Sequence, residues 1–299
     1  MPITFRTYQQ QTGYTEDFFR VSDLLFRVDQ TRHRPVLIDW VFWEWSTAMD
    51  TYKADALARV GLWEDQGRLV AATVIEDHMG AVSLCVDPDY RHLRPEMARY
   101  AMEHMAQDGK VTLIIEDGDH ELQHLALAQG LCPTQDKEST AVLDIAEEST
   151  RYTLPEGYRI QSFDSQFDVQ KYNRVLWKGF NHEEEGPAPE DEGMMQWRRN
   201  CISSPHTDRS LLIAVVGPDG EYASHCGMWY RGGEFAVVEP VATVPQCRRM
   251  GLGRAAVLEA ARRCGALGAR RAIVGSSQQF YYSMGFCPAG TETFWQKSV

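Results

Sequence analysis

Residues 248–254, Arg-Arg-Met-Gly-Leu-Gly-Arg, join an apolar, strand-like run at 235–244 to a helix-forming run at 253–264. Gly251 and Gly253 let such a strand-to-helix turn expose successive backbone N–H groups without Cβ obstruction, and the positive end of the helix falls at the same point. A pyrophosphate fits a place of that kind, although a plain tight turn would use the same letters. Arg248, Arg249, Arg254, Arg262, Arg263, Arg270 and Arg271 have a single acid near them in sequence, Glu259. A polyanionic ligand would favour this region.

Glu239 lies upstream on the same strand and is followed by Pro240. Proline cannot donate to a ladder, so the strand is expected to splay or bulge there and to free the backbone of Ala242, Thr243 and Val244 for hydrogen bonds to a ligand. Glu239 itself reads either as a base or as a solvated strand-end carboxylate. Downstream comes Phe280-Tyr281-Tyr282-Ser-Met-Gly285-Phe286. A phenol is protonated at neutral pH and can donate a proton when held close to a leaving group. Cys247 next to the turn suggests a covalent route, but no His–Asp pattern accompanies it, and a small buried thiol is the simpler reading.

These residues need a frame. Hydrophobic periodicity predicts a strand at 3–8, helices at 17–26 and 38–48, and strands at 56–64, 68–76 and 81–86, the last two joined by a turn at 78–80. A helix at 95–106, a strand at 111–115, a helix at 120–129 and a strand at 140–145 follow. The second half repeats the order: strand 158–162, helices 169–179 and 192–200, a hairpin over 211–230 turned at Pro218-Asp219-Gly220, strand 235–244, helix 253–264, strand 271–275, helix 278–284 and strand 291–296. An internal duplication explains the repetition. Pro88 and Arg91 align with Pro245 and Arg248 at an offset of 157, and Gly130 with Gly285 at 155. The expected architecture is α/β, with mixed sheets in two tandem domains, 1–148 and 151–299, divided at the polar stretch 147–151.

Composition narrows the classes. The 299 residues carry a net charge of −12, which argues against general nucleic-acid affinity. Residues 151–299 hold 17 Lys/Arg against 16 Asp/Glu, leaving 13 against 26 in the first 150, so the negative charge sits in the first half. No apolar stretch approaches membrane-spanning length and no export signal opens the chain, so neither a membrane nor secretion is expected. Seven cysteines without C-x-x-C pairs or metal spacing fit a reduced cytoplasm and no metal.

The run from Glu239 to Ala256, with its strand, proline and R-x-x-G-x-G into a helix, resembles the GNAT superfamily of acyl-CoA N-acetyltransferases. Tyr281, five residues before the Phe of Gly285-Phe286, resembles that superfamily's second marker. The resemblance extends over 151–299 by element order, and over 1–150 as a degenerate copy. It implies acetyl-CoA as cosubstrate, held by Ala242, Thr243, Val244, Arg248, Arg249, Met250, Gly251, Leu252, Gly253 and Arg254. It also implies direct attack by an acceptor amine, with Glu239 as base, alone or through water, and Tyr281 as acid to the departing thiolate. In the first half, Arg94, Pro95 and Glu96 stand where the turn should be and Ala126 where the tyrosine should be, so that copy is expected to be non-catalytic. The acceptor is expected to be a primary amine on a small molecule, cationic if the six acids among residues 181–192 attract it; His182 and Trp197 are further candidate contacts. A protein or aminoacyl acyltransferase and a CoA-binding sensor without turnover are the alternatives, and the oligomeric state is left open.

Overall fold

A computed structural model describes residues 2–31, 40–76 and 81–298. The chain forms two compact units, Met1–Thr140 with Ala289–Val299, and Ala141–Pro288.

The first unit opens with β1 (Thr4–Thr7), α1 (Glu16–Thr31), α2 (Trp40–Ala48) and a short α3 (Ala54–Leu57). It continues with β2 (Gly61–Asp65), β3 (Arg68–Glu76), β4 (Ala81–Val86), α4 (Arg94–His104), β5 (Lys110–Glu116), α5 (His120–Ala128) and β6 (Cys132–Asp144). Helix α3 takes the place of the first part of the strand expected at 56–64. Its Ala-Asp-Ala-Leu run favours a helical turn, and the strand starts only at Gly61. The expected turn at 78–80, and Ile38 at the start of the second helix, lie outside the described residues. Strands β1 to β4 are antiparallel neighbours, while β4 and β5 run parallel. Trp43 of α2 is fully buried and donates to the Phe18 carbonyl at 3.2 Å, so it belongs to this unit's core.

The second unit holds β7 (Arg159–Ser162), α6 (Val169–Gly179), α7 (Glu192–Cys201), β8 (Ile213–Val216), β9 (Tyr222–Trp229) and β10 (Phe235–Thr243). It then runs through α8 (Leu252–Ala266), β11 (Arg271–Val274) and α9 (Gln279–Tyr282), after which β12 (Cys287–Ser298) returns the chain to the first unit. Side chains set the helix starts: Asp168 accepts from the N–H groups of Gln170 and Lys171, and Asp191 from that of Met194. Strand β9 is buried at every position because helices cover both faces, with α8 packed on one and α6 on the other. The small residues Ala255, Ala256, Ala260 and Ala261 let α8 lie close to the sheet.

The units do not divide at the polar stretch 147–151. The end of β6 pairs antiparallel with β11, from Ala141↔Val274 to Asp144↔Arg271, inside the second unit. Strand β12 pairs antiparallel with β5, from Glu292↔Glu116 to Ser298↔Lys110, inside the first. Each half of the chain therefore gives its last strand to the other unit. No described helix is long and apolar enough to cross a membrane.

Candidate active site

Strands β10 and β11 pair in parallel only at Phe235↔Arg271, Ala236↔Ala272 and Val237↔Ile273. From Val238 onward β10 keeps β9 but leaves β11, and the sheet opens into a gap. The β9 register slips by one residue between Val238 and Val241, where Pro240 supplies no N–H. Gly227 faces that bulge, and a Cβ there would collide with the Glu239 carbonyl oxygen. Beyond it the Val244 N–H donates to the Ala223 carbonyl and the Ala242 carbonyl accepts from Ser224 Oγ, so both point toward β9. Ladder alternation turns the backbone of Val241 and Thr243 to the gap. Of the three residues expected to offer free backbone, Thr243 faces the gap. Ala242 and Val244 are engaged within the sheet, and Val241, which sequence reasoning missed, takes their place because the bulge shifts the alternation by one.

At the end of β10 the chain turns through Pro245–Cys247. Arg249 and Gly251 then adopt left-handed conformations, with φ of 64° and 82°. The first hydrogen bond of α8 is from the Ala255 N–H to the Gly251 carbonyl, at 2.9 Å. The N–H groups from Arg249 to Arg254 have no acceptor among the described residues, which makes a row of donors at the positive end of a 15-residue helix. The two glycines serve different ends. A Cβ on Gly251 would meet nothing, so the backbone angle is what requires glycine there. A Cβ on Gly253 would meet Thr243 Oγ1 at 2.9 Å and Phe280 Cζ at 3.1 Å, so close approach of the helix is what requires it.

The arginines divide likewise. Arg248 donates to the Thr243 carbonyl at 3.2 Å, the Gly179 carbonyl at 3.0 Å and Asn181 Oδ1 at 2.8 Å, and so braces the turn against the end of α6. Its guanidinium is thus engaged within the protein while remaining exposed beside the turn. Arg254 donates to the Ser283 carbonyl at 3.2 Å, while Arg249 is exposed with no partner among the described residues. Met250 is exposed and Leu252 buried, so these two offer backbone rather than side chains.

Tyr281 is 7 % exposed and packs edge-on against Phe280 and Phe286. Burial foremost, with Cys226 and Glu239 nearby, raises its pKa well above that of a free phenol, so the hydroxyl stays protonated. That hydroxyl has no hydrogen-bond partner among the described residues. Glu239 is exposed at the bulge, and its carbonyl accepts from Trp229 Nε1 at 2.9 Å. Cys247 lies 4.0 Å from the Tyr158 hydroxyl, an arrangement without a base.

The described acids of residues 181–192 have structural tasks. Glu190 pairs with Arg174, Glu192 with Arg199 and Glu185 with His182, while Asp191 caps α7. These four acids are therefore engaged within the protein. Sequence reasoning does not single out Tyr172, Asn173, Arg198 and His225, all buried beneath α6 and α7. The available signal is Arg198 standing between Met195 and Cys201, three residues from each, on the buried stripe of α7.

The corresponding turn of the first unit is built differently. A 3-10 turn, Pro88–Leu93, runs straight into α4 without a left-handed residue, and Pro95 lacks an N–H. Arg94 binds Asp119 through two hydrogen bonds, at 2.8 and 3.1 Å, and Glu96 accepts from Trp63 Nε1 at 2.8 Å. Strands β4 and β5 pair only at Ala81↔Thr112 and Val82↔Leu113, and a cavity of about 550 Å3 opens beyond, with Arg91, Arg94, Glu116 and Asp119 in its wall. This unit therefore keeps a gap without the row of amides. Among the described residues no group of three His, Cys, Asp or Glu could hold a metal.

Residues 170–286 match the Acetyltransferase (GNAT) family. A comparison with curated proteins finds no match in sequence. Among solved structures, the chain is similar to a tandem GNAT protein from the clavulanic acid biosynthesis pathway, with TM-score 0.62 and 14% identity over 99% of this chain and 98% of that one. It is also similar to a GCN5-related N-acetyltransferase from Sphaerobacter thermophilus, with TM-score 0.60 and 14% identity over 99% and 95%. N-myristoyltransferase of Saccharomyces cerevisiae shares the fold at TM-score 0.57 and 11% identity, over 99% and 80%. Residues 170–286 are thus a match to the GNAT family of acetyltransferases, and the chain is similar in fold to a tandem GNAT protein along nearly its whole length.

Proposed function

We propose that the second unit transfers the acetyl group of acetyl-CoA to a primary amine of a small molecule by direct attack. The observation that carries this reading is the row of unpartnered N–H groups from Arg249 to Arg254, set at the end of the gap beside β10. The amides receive the pyrophosphate, with Arg249 at their rim, and the outward backbone of Val241 and the N–H of Thr243 bond the pantetheine arm.

Glu239, alone or through a water, takes the proton from the acceptor ammonium. The neutral amine attacks the thioester carbonyl carbon, the C–S bond breaks, and the Tyr281 hydroxyl gives its proton to the thiolate. Burial keeps Tyr281 protonated for that step. The first unit, without the amide row and without a counterpart of Tyr281, acts as a non-catalytic partner.

Thiol release from acetyl-CoA, measured over a panel of amines, tests the reading. Release that needs both an amine and Tyr281 is the expected result. Binding of acetyl-CoA without release on any amine would instead indicate a sensor.

A further inference from the structure

Arg198 lies on the face of α7 that packs inward, with Met195 and Cys201, and is 8% exposed. Its Nε donates to Asn173 Oδ1 at 2.8 Å, Asn173 Nδ2 donates to the Pro189 carbonyl at 2.7 Å, and its guanidinium stacks 4.6 Å from the Trp197 ring. No carboxylate among the described residues pairs with it. A guanidinium stays charged even where burial lowers its pKa, and a buried charge without a counter-ion is costly.

Two more polar groups of the same layer lack partners. The Tyr172 hydroxyl is fully buried and unbonded. His225 places its Nδ1 3.1 Å from the Ile213 carbonyl, which fixes the proton on that nitrogen and leaves the buried Nε2 as an acceptor without a donor. The His225 ring stacks on Phe163 at 5.0 Å and meets the edge of Tyr172 at 5.1 Å. Burial holds its pKa down at about 3, so His225 is neutral and Arg198 is the cation of the cluster.

The cluster adjoins the reacting end of β10. Helix α6 packs against β10, with Tyr172 and Ala242 in one buried cluster, and the Tyr172 hydroxyl lies within electrostatic reach of both Arg198 and Glu239.

We propose that Arg198, with Tyr172 and His225 beside it, is the anchor for a carboxylate carried by the acceptor, so that the substrate class is an amino acid or a similar amino-carboxylate. The assignment rests on the acetyl-transfer reading. One guanidinium suits one carboxylate, which it binds through two parallel N–H bonds. A phosphate dianion would bring a second charge against the His225 lone pair. That lone pair and the Tyr172 oxygen instead accept an N–H or O–H next to the carboxylate.

The test compares thiol release from acetyl-CoA with paired acceptors: L-amino acids against their carboxamides, and ω-amino acids against the corresponding alkylamines. Wild type, Arg198→Lys and Arg198→Met are measured. Wild type is expected to favour the carboxylate member of at least one pair by roughly 100-fold in kcat/KM, mostly through KM. Arg198→Met should erase the preference and leave acetyl-CoA-induced thermal stabilisation intact, with a melting temperature no lower than wild type because an unpaired buried charge is gone. Arg198→Lys should keep part of the preference.

Equal turnover of both members of every pair overturns the carboxylate assignment and leaves the transferase reading standing, as does a preference that survives Arg198→Met. Release from neither member of any pair, with acetyl-CoA still bound, overturns both.

Discussion

The Cα of Gly253 approaches Thr243 so closely that an added Cβ would stand 2.9 Å from the threonine hydroxyl oxygen. Helix α8 and strand β10 are thus joined at a distance only glycine permits, with the unpartnered amides of Leu252 and Gly253 at that junction. Gly253→Ala forces the helix start outward by a few tenths of an ångström. The expected outcome is a KM for acetyl-CoA raised roughly tenfold, with a loss of about 1 kcal/mol in stability. Steady-state kinetics and thermal unfolding check both, and an unchanged KM would detach the close packing from cofactor binding.

Gly251 makes a separate demand, since its φ is 82° and nothing lies where a Cβ would go. Gly251→Asp adds left-handed strain of about 1–2 kcal/mol and places an anion among the donors. Thermal stabilisation by acetyl-CoA should vanish in this variant. Stabilisation that persists would locate cofactor binding in the first unit, and the Arg94–Asp119 pair would then line a working site instead of closing a degenerate one.

Tyr281→Phe removes the proton donor and keeps the ring between Phe280 and Phe286. The expected fall in kcat is roughly 100-fold or more, with little change in KM for acetyl-CoA. The upward shift of its pKa sets a second expectation. The wild-type rate should show no alkaline limb from this group up to about pH 10, the value of an unperturbed tyrosine. A pH–rate profile that falls near pH 8, and loses that fall in the phenylalanine variant, would contradict the upward shift of Tyr281; a kcat unchanged in that variant would count against Tyr281 as the acid.

Local chemistry made the second unit's turn legible. Two glycines, a helix-forming run and a downstream Tyr-Gly-Phe pattern sit within one continuous stretch, and Pro240 announces the bulge because a missing N–H is a property of one residue. The exchange of last strands had no such signal. The pairings Ala141↔Val274 and Glu292↔Glu116 join residues more than a hundred positions apart, and a strand's pattern does not say whose edge it will meet. Helix α3 was hidden for another reason, because four residues are too few to show a helical period. Arg248 reads as a phosphate ligand by type and place, while its actual partners, Gly179 and Asn181, come from a helix end and a loop some 70 residues earlier.

Glu259 is the acid among the arginines of α8, and its structural role predicts how the second unit responds to pH. It is 4% exposed and accepts hydrogen bonds from Arg262 at 2.8 and 2.9 Å, from Arg263 at 2.8 Å and from the Tyr152 hydroxyl at 3.0 Å. Burial alone would raise its pKa, but the two arginines and Tyr152 outweigh burial and lower it. A carboxylate with a depressed folded pKa binds fewer protons when folded than when unfolded between the two values. Its contribution is complete above the unfolded value of about 4.3 and is lost as the pH falls through the folded one. Glu259→Gln should therefore cost about 2 kcal/mol at pH 7, discounted from a fully buried pair because Arg262 is half exposed. The difference from wild type should shrink below about pH 4. Urea unfolding of both proteins at pH 7 and at pH 3.5 measures it, and a difference that does not depend on pH would show that Glu259 stabilises the helix by packing rather than by charge.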